Sequence, residues 1–246
     1  MFQNITPITR NLIIINAILF VVSHYIFPHL IYMLSAFIPL SPNFKSWQII
    51  THMFMHGSVM HLAFNMLTLW SFGPVLEKVL GERKFIIFYL VCGLGSFIIY
   101  NLWNYYQVYE LTKTLTQQGV NIGELYLKSD LNYRGSSSVE LPDRVDGAIV
   151  REFFNYLRTP MLGASGAIFG VVAAFSTLFP NATMMFMFIP FPIKAKYLFP
   201  LIILGSLYLG IRQQEGDNVA HFAHIGGALI GWIWIQNWKK NQDRIA

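Results

Sequence analysis

The residues best placed to do chemistry in this 246-residue chain are Ser165, in Gly163-Ala164-Ser165-Gly166, and His224, in Ala223-His224. Each opens an apolar stretch rich in small residues. A serine hydroxyl is a weak nucleophile until a base takes its proton, and a neutral imidazole is available near physiological pH. Ionisable groups inside apolar helices are costly, and they usually have a function. A serine and a histidine so placed suggest acyl transfer: hydrolysis of a peptide bond within or near a membrane. The nearest acid to His224 is Asp217, in the preceding loop. A Ser–His dyad is therefore expected rather than a triad with a buried aspartate.

The developing oxyanion of such a reaction needs hydrogen-bond donors. The Ser165 backbone N–H is one candidate, because a helix start has free N–H groups and a positive dipole end. His61 and Asn65 are two more, spaced i, i+4 on one helix face. Asn65 in an apolar helix is expensive to bury without a partner. His52 and His56 also stand at i, i+4, but no H-E-x-x-H pattern exists and no acid lies near. No metal is expected. These two histidines should order the first loop and the top of the helix that follows. His221, one turn before His224, is expected to line the water entrance.

The elements that must hold these groups are membrane helices. Of the residues, 54% are hydrophobic and only 12% charged, against about 25% charged in soluble domains. The net charge of +5 comes from scattered basic residues beside apolar runs. That pattern fits topology signals rather than nucleic-acid binding. Cys92 is the only cysteine, so no intrachain disulfide can form. The predicted fold is an all-α polytopic membrane bundle. Six stretches approach the roughly 20 apolar residues of a span: Asn11–Tyr32, Ser58–Leu76, Phe85–Tyr105, Met161–Phe179, Tyr197–Ile211 and Val219–Trp238. No small-residue cleavage site follows the first, so it reads as an uncleaved span. Trp103, Tyr105, Tyr106, Trp234 and Trp238 suit interfacial belts.

Arg10, Lys78, Arg83, Lys84, Lys194, Lys196, Lys239, Lys240 and Arg244 fall on one side of a six-span bundle. That side is expected to be the cytoplasm, with both termini there. Even-numbered spans then run from outside to inside. Ser165, His224, His61 and Asn65 all start such spans, so all four sit toward the outer leaflet. Gly166, Gly170 and Ala174 form one stripe, and Gly227 and Gly231 another. Small-residue stripes let helices approach closely in lipid. Packing of these two would bring Ser165 to His224.

The stretch from Gln107 to Thr159 differs in character. It carries six basic and seven acidic residues, as a soluble external loop would. Gly135-Ser136-Ser137-Ser138 marks a flexible point, and helices are predicted at Leu111–Leu115 and Val145–Leu157. The chain is expected to be a single membrane domain, 1–246, with 107–159 inserted between the third and fourth helices.

Taken together, these residues resemble the rhomboid family of intramembrane serine proteases. The matching stretches are Trp47-Gln48 through Thr51-His52, His56-Gly57, His61 to Asn65, Gly73 with Glu77 and Gly81, Gly163 to Gly166, and Ala223 to Gly227. The likeness covers most of the chain from Trp47 to Trp232, outside the insertion. It implies Ser165 as nucleophile and His224 as general base. It implies His61, Asn65 and the Ser165 N–H around the oxyanion, with Gly163, Gly166 and Gly227 in support. Phe169 falls where the family commonly places an aromatic ring against the catalytic histidine. The resemblance further implies a water-filled cavity open to the outside of a bacterial inner membrane, single-span protein substrates, and no cofactor. Two features depart from the family pattern. The insertion is long, and the first loop, Met33–Trp47, has no Trp-Arg pair. The rival readings are a relative that binds membrane clients without cutting them, and a transporter relaying protons through His52, His56, His61, His221 and His224. A fluorophosphonate probe separates them, since only the protease would be labelled at Ser165. The sequence does not fix the oligomeric state.

Overall fold

The computed structural model describes residues 5–136, 138–184, 192–212 and 220–242. Ser137, Asp217, Val219 and Arg244 lie outside the described residues. The first helix, α1 (Pro7–Val21), starts with a proline whose fixed φ suits the first turn. Its free N–H groups are met by a carboxylate from another helix. Glu77 accepts from the backbone N–H of Ile8 at 2.9 Å and of Thr9 at 2.8 Å, and from the Thr9 hydroxyl at 2.8 Å. Glu77 is buried. An anion can stay there because the helix start supplies both hydrogen bonds and a favourable dipole.

The first predicted span, Asn11–Tyr32, is interrupted. Helix α1 continues as a π-helical turn, Val22–Ile26, and stops at Phe27. Pro28 follows and disfavours helical geometry at the residue before it. A separate short helix, α2 (Leu30–Leu34), and the first loop lead to α3 (Gln48–Thr51) and a 3-10 turn, His52–Phe54. Then α4 (Val59–Leu80) begins at Ser58, whose hydroxyl accepts from the His61 N–H. Gly81 ends α4 at φ +80°, a left-handed value that glycine adopts freely, and turns the chain into α5.

The third helix of the bundle, α5 (Glu82–Gln117), runs 36 residues and so spans about 54 Å. The span predicted to end at Tyr105 therefore continues as helix through Leu111–Leu115. Two more helices follow, α6 (Ile122–Lys128) and α7 (Gly147–Arg158), capped by the Asn121 and Asp146 side chains. What was expected as a long loop is for the most part helical. It has its own core, in which Val108, Leu115, Leu125, Val150, Phe153 and Leu157 pack with Ile38 of the first loop. The helices expected at Leu111–Leu115 and Val145–Leu157 fall within α5 and on α7, while α6 has no counterpart in the sequence reading.

After Thr159-Pro160, Met161 pairs with Ala36 in an isolated bridge, and α8 (Ser165–Leu178) begins. An antiparallel pair of two-residue strands, β1 (Thr183–Met184) against β2 (Ile193–Lys194), has no counterpart in the sequence reading. Helices α9 (Ala195–Arg212) and α10 (His221–Gln242) complete the order. Among the described residues, four helices are long and apolar enough to cross a membrane: Pro7–Ile26, Val59–Leu80, Glu82–Gln117 and Ala195–Arg212.

Helix α8 is the centre of the bundle. Ala164, Ala167, Val171 and Ala174 join the main core with Leu69, Phe88 and Cys92. On its α10 side the two glycine stripes meet: a Cβ on Gly227 would collide with the Gly166 backbone, and one on Gly231 with the Gly170 backbone. Gly227→Val is expected to lower stability by about 1–3 kcal/mol, the scale of core overpacking, or to prevent assembly. Thermal unfolding in detergent against Gly205→Val, where open space surrounds the glycine, measures it.

Candidate active site

The residue that opens α8 is Ser165, with Ala164 at the cap position. Its backbone N–H therefore belongs to the first turn, where no intrahelical acceptor exists. Gly163, two residues before, has φ +122°, a value that L side chains rarely adopt. A Cβ at Gly163 would also lie 2.8 Å from His61 Nε2. Glycine is required here on both counts, and its absence of a side chain lets the His61 ring approach the loop before Ser165.

The structure brings Ser165 and His224 together. Ser165 Oγ is 2.9 Å from His224 Nε2, within the range for proton transfer. Both are partly buried rather than sealed. The Phe169 ring stacks on the His224 imidazole, centroids 4.1 Å apart and planes 5° from parallel. This fixes the ring plane and so keeps Nε2 aimed at the hydroxyl. His221 stands edge-on to His224 at 6.3 Å. The glycine contacts place this pair: Gly166 follows Ser165, and Gly227 is one turn beyond His224. No hydrogen bond or ion pair joins a carboxylate to His224 among the described residues.

His61 and Asn65 share a face of α4, as their spacing requires. The Gly57 N–H donates to His61 Nδ1 at 3.5 Å, which favours the tautomer with its proton on Nε2, the nitrogen beside Gly163. Asn65 is buried, and its Nδ2 donates to the His61 carbonyl at 2.9 Å. The partner expected for Asn65 is thus within its own helix. No hydrogen bond joins Asn65 to Ser165 among the described residues.

His52 acts through its backbone as well as its ring. Its Nδ1 donates to the Gln48 carbonyl at 2.8 Å, and its own carbonyl accepts from the Gly163 N–H at 2.9 Å. The second contact pins the serine loop to the 3-10 turn that precedes α4, and spacing alone gave no sign of it. The buried His56 ring packs edge-on against His61 with centroids 5.0 Å apart. Sequence reasoning also missed Ser96, whose buried hydroxyl abuts Gly166.

Comparison with known proteins agrees with the family named by the motifs. The family model described as Rhomboid domain matches residues 43–113 and 143–237. The chain is similar to "Rhomboid protein 1, mitochondrial" of Saccharomyces cerevisiae, 28% identical over 80% of this chain and 44% of that protein. It is similar to "Rhomboid protease AarA" of Providencia stuartii, 29% identical over 75% of this chain and 53% of that protein. A shorter match, 43% identical over 24% of this chain and 22% of the other, is to "Rhomboid protease GlpG" of Salmonella choleraesuis. The chain spans about half the length of the first two.

Burial lowers the His52 pKa from 6.5 to about 4 and that of His56 to about 3. Both are neutral when folded, whereas the unfolded chain takes up protons below about pH 6.5. Stability is therefore full above that pH and falls as the pH drops toward 4. The melting temperature is expected to decrease between about pH 7.5 and pH 5, and His52→Gln to flatten that slope. Melting curves at the two pH values, for both proteins, measure this.

Proposed function

The chain belongs to the rhomboid family, and from that premise we propose that it is an intramembrane serine endopeptidase cutting single-span membrane proteins in or near their transmembrane segment. The 2.9 Å contact of Ser165 Oγ with His224 Nε2 carries this reading. Ser165 O–H donates to Nε2, and Oγ attacks the scissile carbonyl. The oxyanion forms against the Ser165 N–H, the His61 Nε2–H and the second N–H of the Asn65 amide, whose first is held by the His61 carbonyl. Collapse breaks the C–N bond, and His224 returns the proton to the leaving amine. Water, activated by the same imidazole, then releases the acyl group.

In this proposal the protein is one membrane domain, residues 1–246, with six crossings. Helix α10 and the 14-residue α8 add to the four long spans. Helix α8 is too short to cover a bilayer of roughly 30 Å by itself. Its buried position, surrounded by α4, α5 and α10, removes that requirement and leaves its N-terminal Ser165 below the surface, in a site open to water from one side. A substrate helix must unwind there before its carbonyl is reachable, so helix-breaking residues near the cut favour cleavage. Both termini lie on the cytoplasmic side with the basic flanks, and the site faces outward. We favour a bacterial inner membrane on that charge pattern. The mitochondrial names among the relatives make an organelle membrane the competing location. No cofactor takes part in these steps.

Purified protein in detergent is expected to cleave a generic single-span substrate. Ser165→Ala and His224→Ala are expected to abolish cleavage without loss of folding. Asn65→Ala should lower turnover by roughly 10–10³-fold, the scale of removing one oxyanion donor. Gel analysis of cleavage, with fluorophosphonate labelling of Ser165, measures these outcomes. An unchanged rate in either dyad variant overturns the proposal.

A further inference from the structure

We propose that the insertion carries a lipid-contacting ridge, formed by Tyr126, Leu127, Leu131 and Tyr133, that rests in the headgroup boundary of the membrane beside the first loop. The exposure of these residues is not a remnant of an incomplete core. The insertion already buries Leu125 and its partners on the other side of α6. Leu127 is nevertheless 64% exposed and Leu131 45%, with Tyr126 and Tyr133 each 41%. Single exposed apolar residues are ordinary, but a contiguous set marks a contact surface. The pairing of leucine with tyrosine is the chemistry of the membrane interface, where a ring can be apolar on one side and wet at its hydroxyl.

Position decides the occupant. The Leu131 N–H donates to Asn43 Oδ1 at 2.9 Å, and Asn43 Nδ2 donates to the Ser129 carbonyl at 2.9 Å. The Ser41 hydroxyl donates to the Leu157 carbonyl at 2.6 Å. These bonds fix the end of α6 against the first loop. That loop carries exposed Leu40 and Trp47, and Trp47 Nε1 donates to the Met33 carbonyl at 3.0 Å. Met33 and Tyr32 are exposed in turn, just past the end of the span Pro7–Ile26. The ridge is thus held beside a first loop that carries exposed apolar residues of its own and follows directly on a membrane span. A phospholipid surface fits this position, because the segment that holds the ridge begins at the end of that span.

Cysteine variants Leu127→Cys and Leu131→Cys, each labelled with an environment-sensitive nitrobenzoxadiazole probe, test this in the full chain. Cys92 is buried and leaves the introduced thiol as the reactive one. Glu140→Cys, an exposed polar position of the same insertion, is the reference. In vesicles of phosphatidylcholine and phosphatidylglycerol, spin-labelled lipid is expected to quench both leucine sites at least twofold more than the reference. Aqueous dithionite should bleach them correspondingly more slowly. Equal behaviour of all three sites overturns the proposal in favour of a solvated face. Protection from both quenchers overturns it in favour of a protein contact, such as a second copy of the chain.

Discussion

The approach of α8 to α10 is the constraint on which the rest of the molecule depends. Gly166 against Gly227, and Gly170 against Gly231, leave no room for a side chain between the two backbones. In lipid there is no hydrophobic force to draw apolar helices together, so association rests on close packing and hydrogen bonds. A glycine seam gives the closest packing available. Because the seam starts within a turn of both Ser165 and His224, the contact that assembles the bundle is also the contact that sets the hydroxyl-to-imidazole distance. Phe169 then fixes the one freedom left, the plane of the imidazole.

Several polar groups are met by a backbone group at the end of a helix or turn. Glu77 is held by the first N–H groups of α1. The His52 ring holds Gln48, and its carbonyl holds Gly163. Ser58 caps α4 one turn before the face that bears His61 and Asn65. In a medium of low dielectric an unmet polar group is expensive, and helix ends are where unmet backbone groups occur. At the end of the bundle where α4 and α8 begin, catalytic candidates and structural hydrogen bonds therefore gather together, while Glu77 ties α1 to α4 at the other end.

How legible this was in the sequence varied with the physics behind each feature. The glycine stripes and the placing of Ser165 and His224 could be read directly, because small residues every fourth position have one geometric meaning in a helix. Phe169 needed the family likeness, since an aromatic residue in an apolar helix has many uses. The break at Phe27-Pro28 was carried in plain view by proline, yet the apolar run on either side masked it. In the insertion, the end of α5 and α7 were readable as helix, while the seven-residue α6 was too short to show a period. The bond from Gly163 to the His52 carbonyl was out of reach, because backbone pairings between distant loops leave no mark on side-chain spacing. The edge-on contact of His56 with His61 is a second such case, since the i, i+4 spacing of His52 and His56 gave no sign of it.

The unbroken course of α5 sets a phase relation between the two halves of the molecule. The helix is continuous from Glu82 to Gln117 and contains no proline to absorb a change. Adding or deleting one residue above Leu102 would turn everything beyond it by about 100° and shift it by about 1.5 Å. The insertion could then no longer meet Ser41 and Asn43. A loop at this junction would tolerate such length changes, whereas a continuous helix admits them only in whole turns. The insertion is consequently geared to the helical bundle, and the two can drift in sequence but not in register.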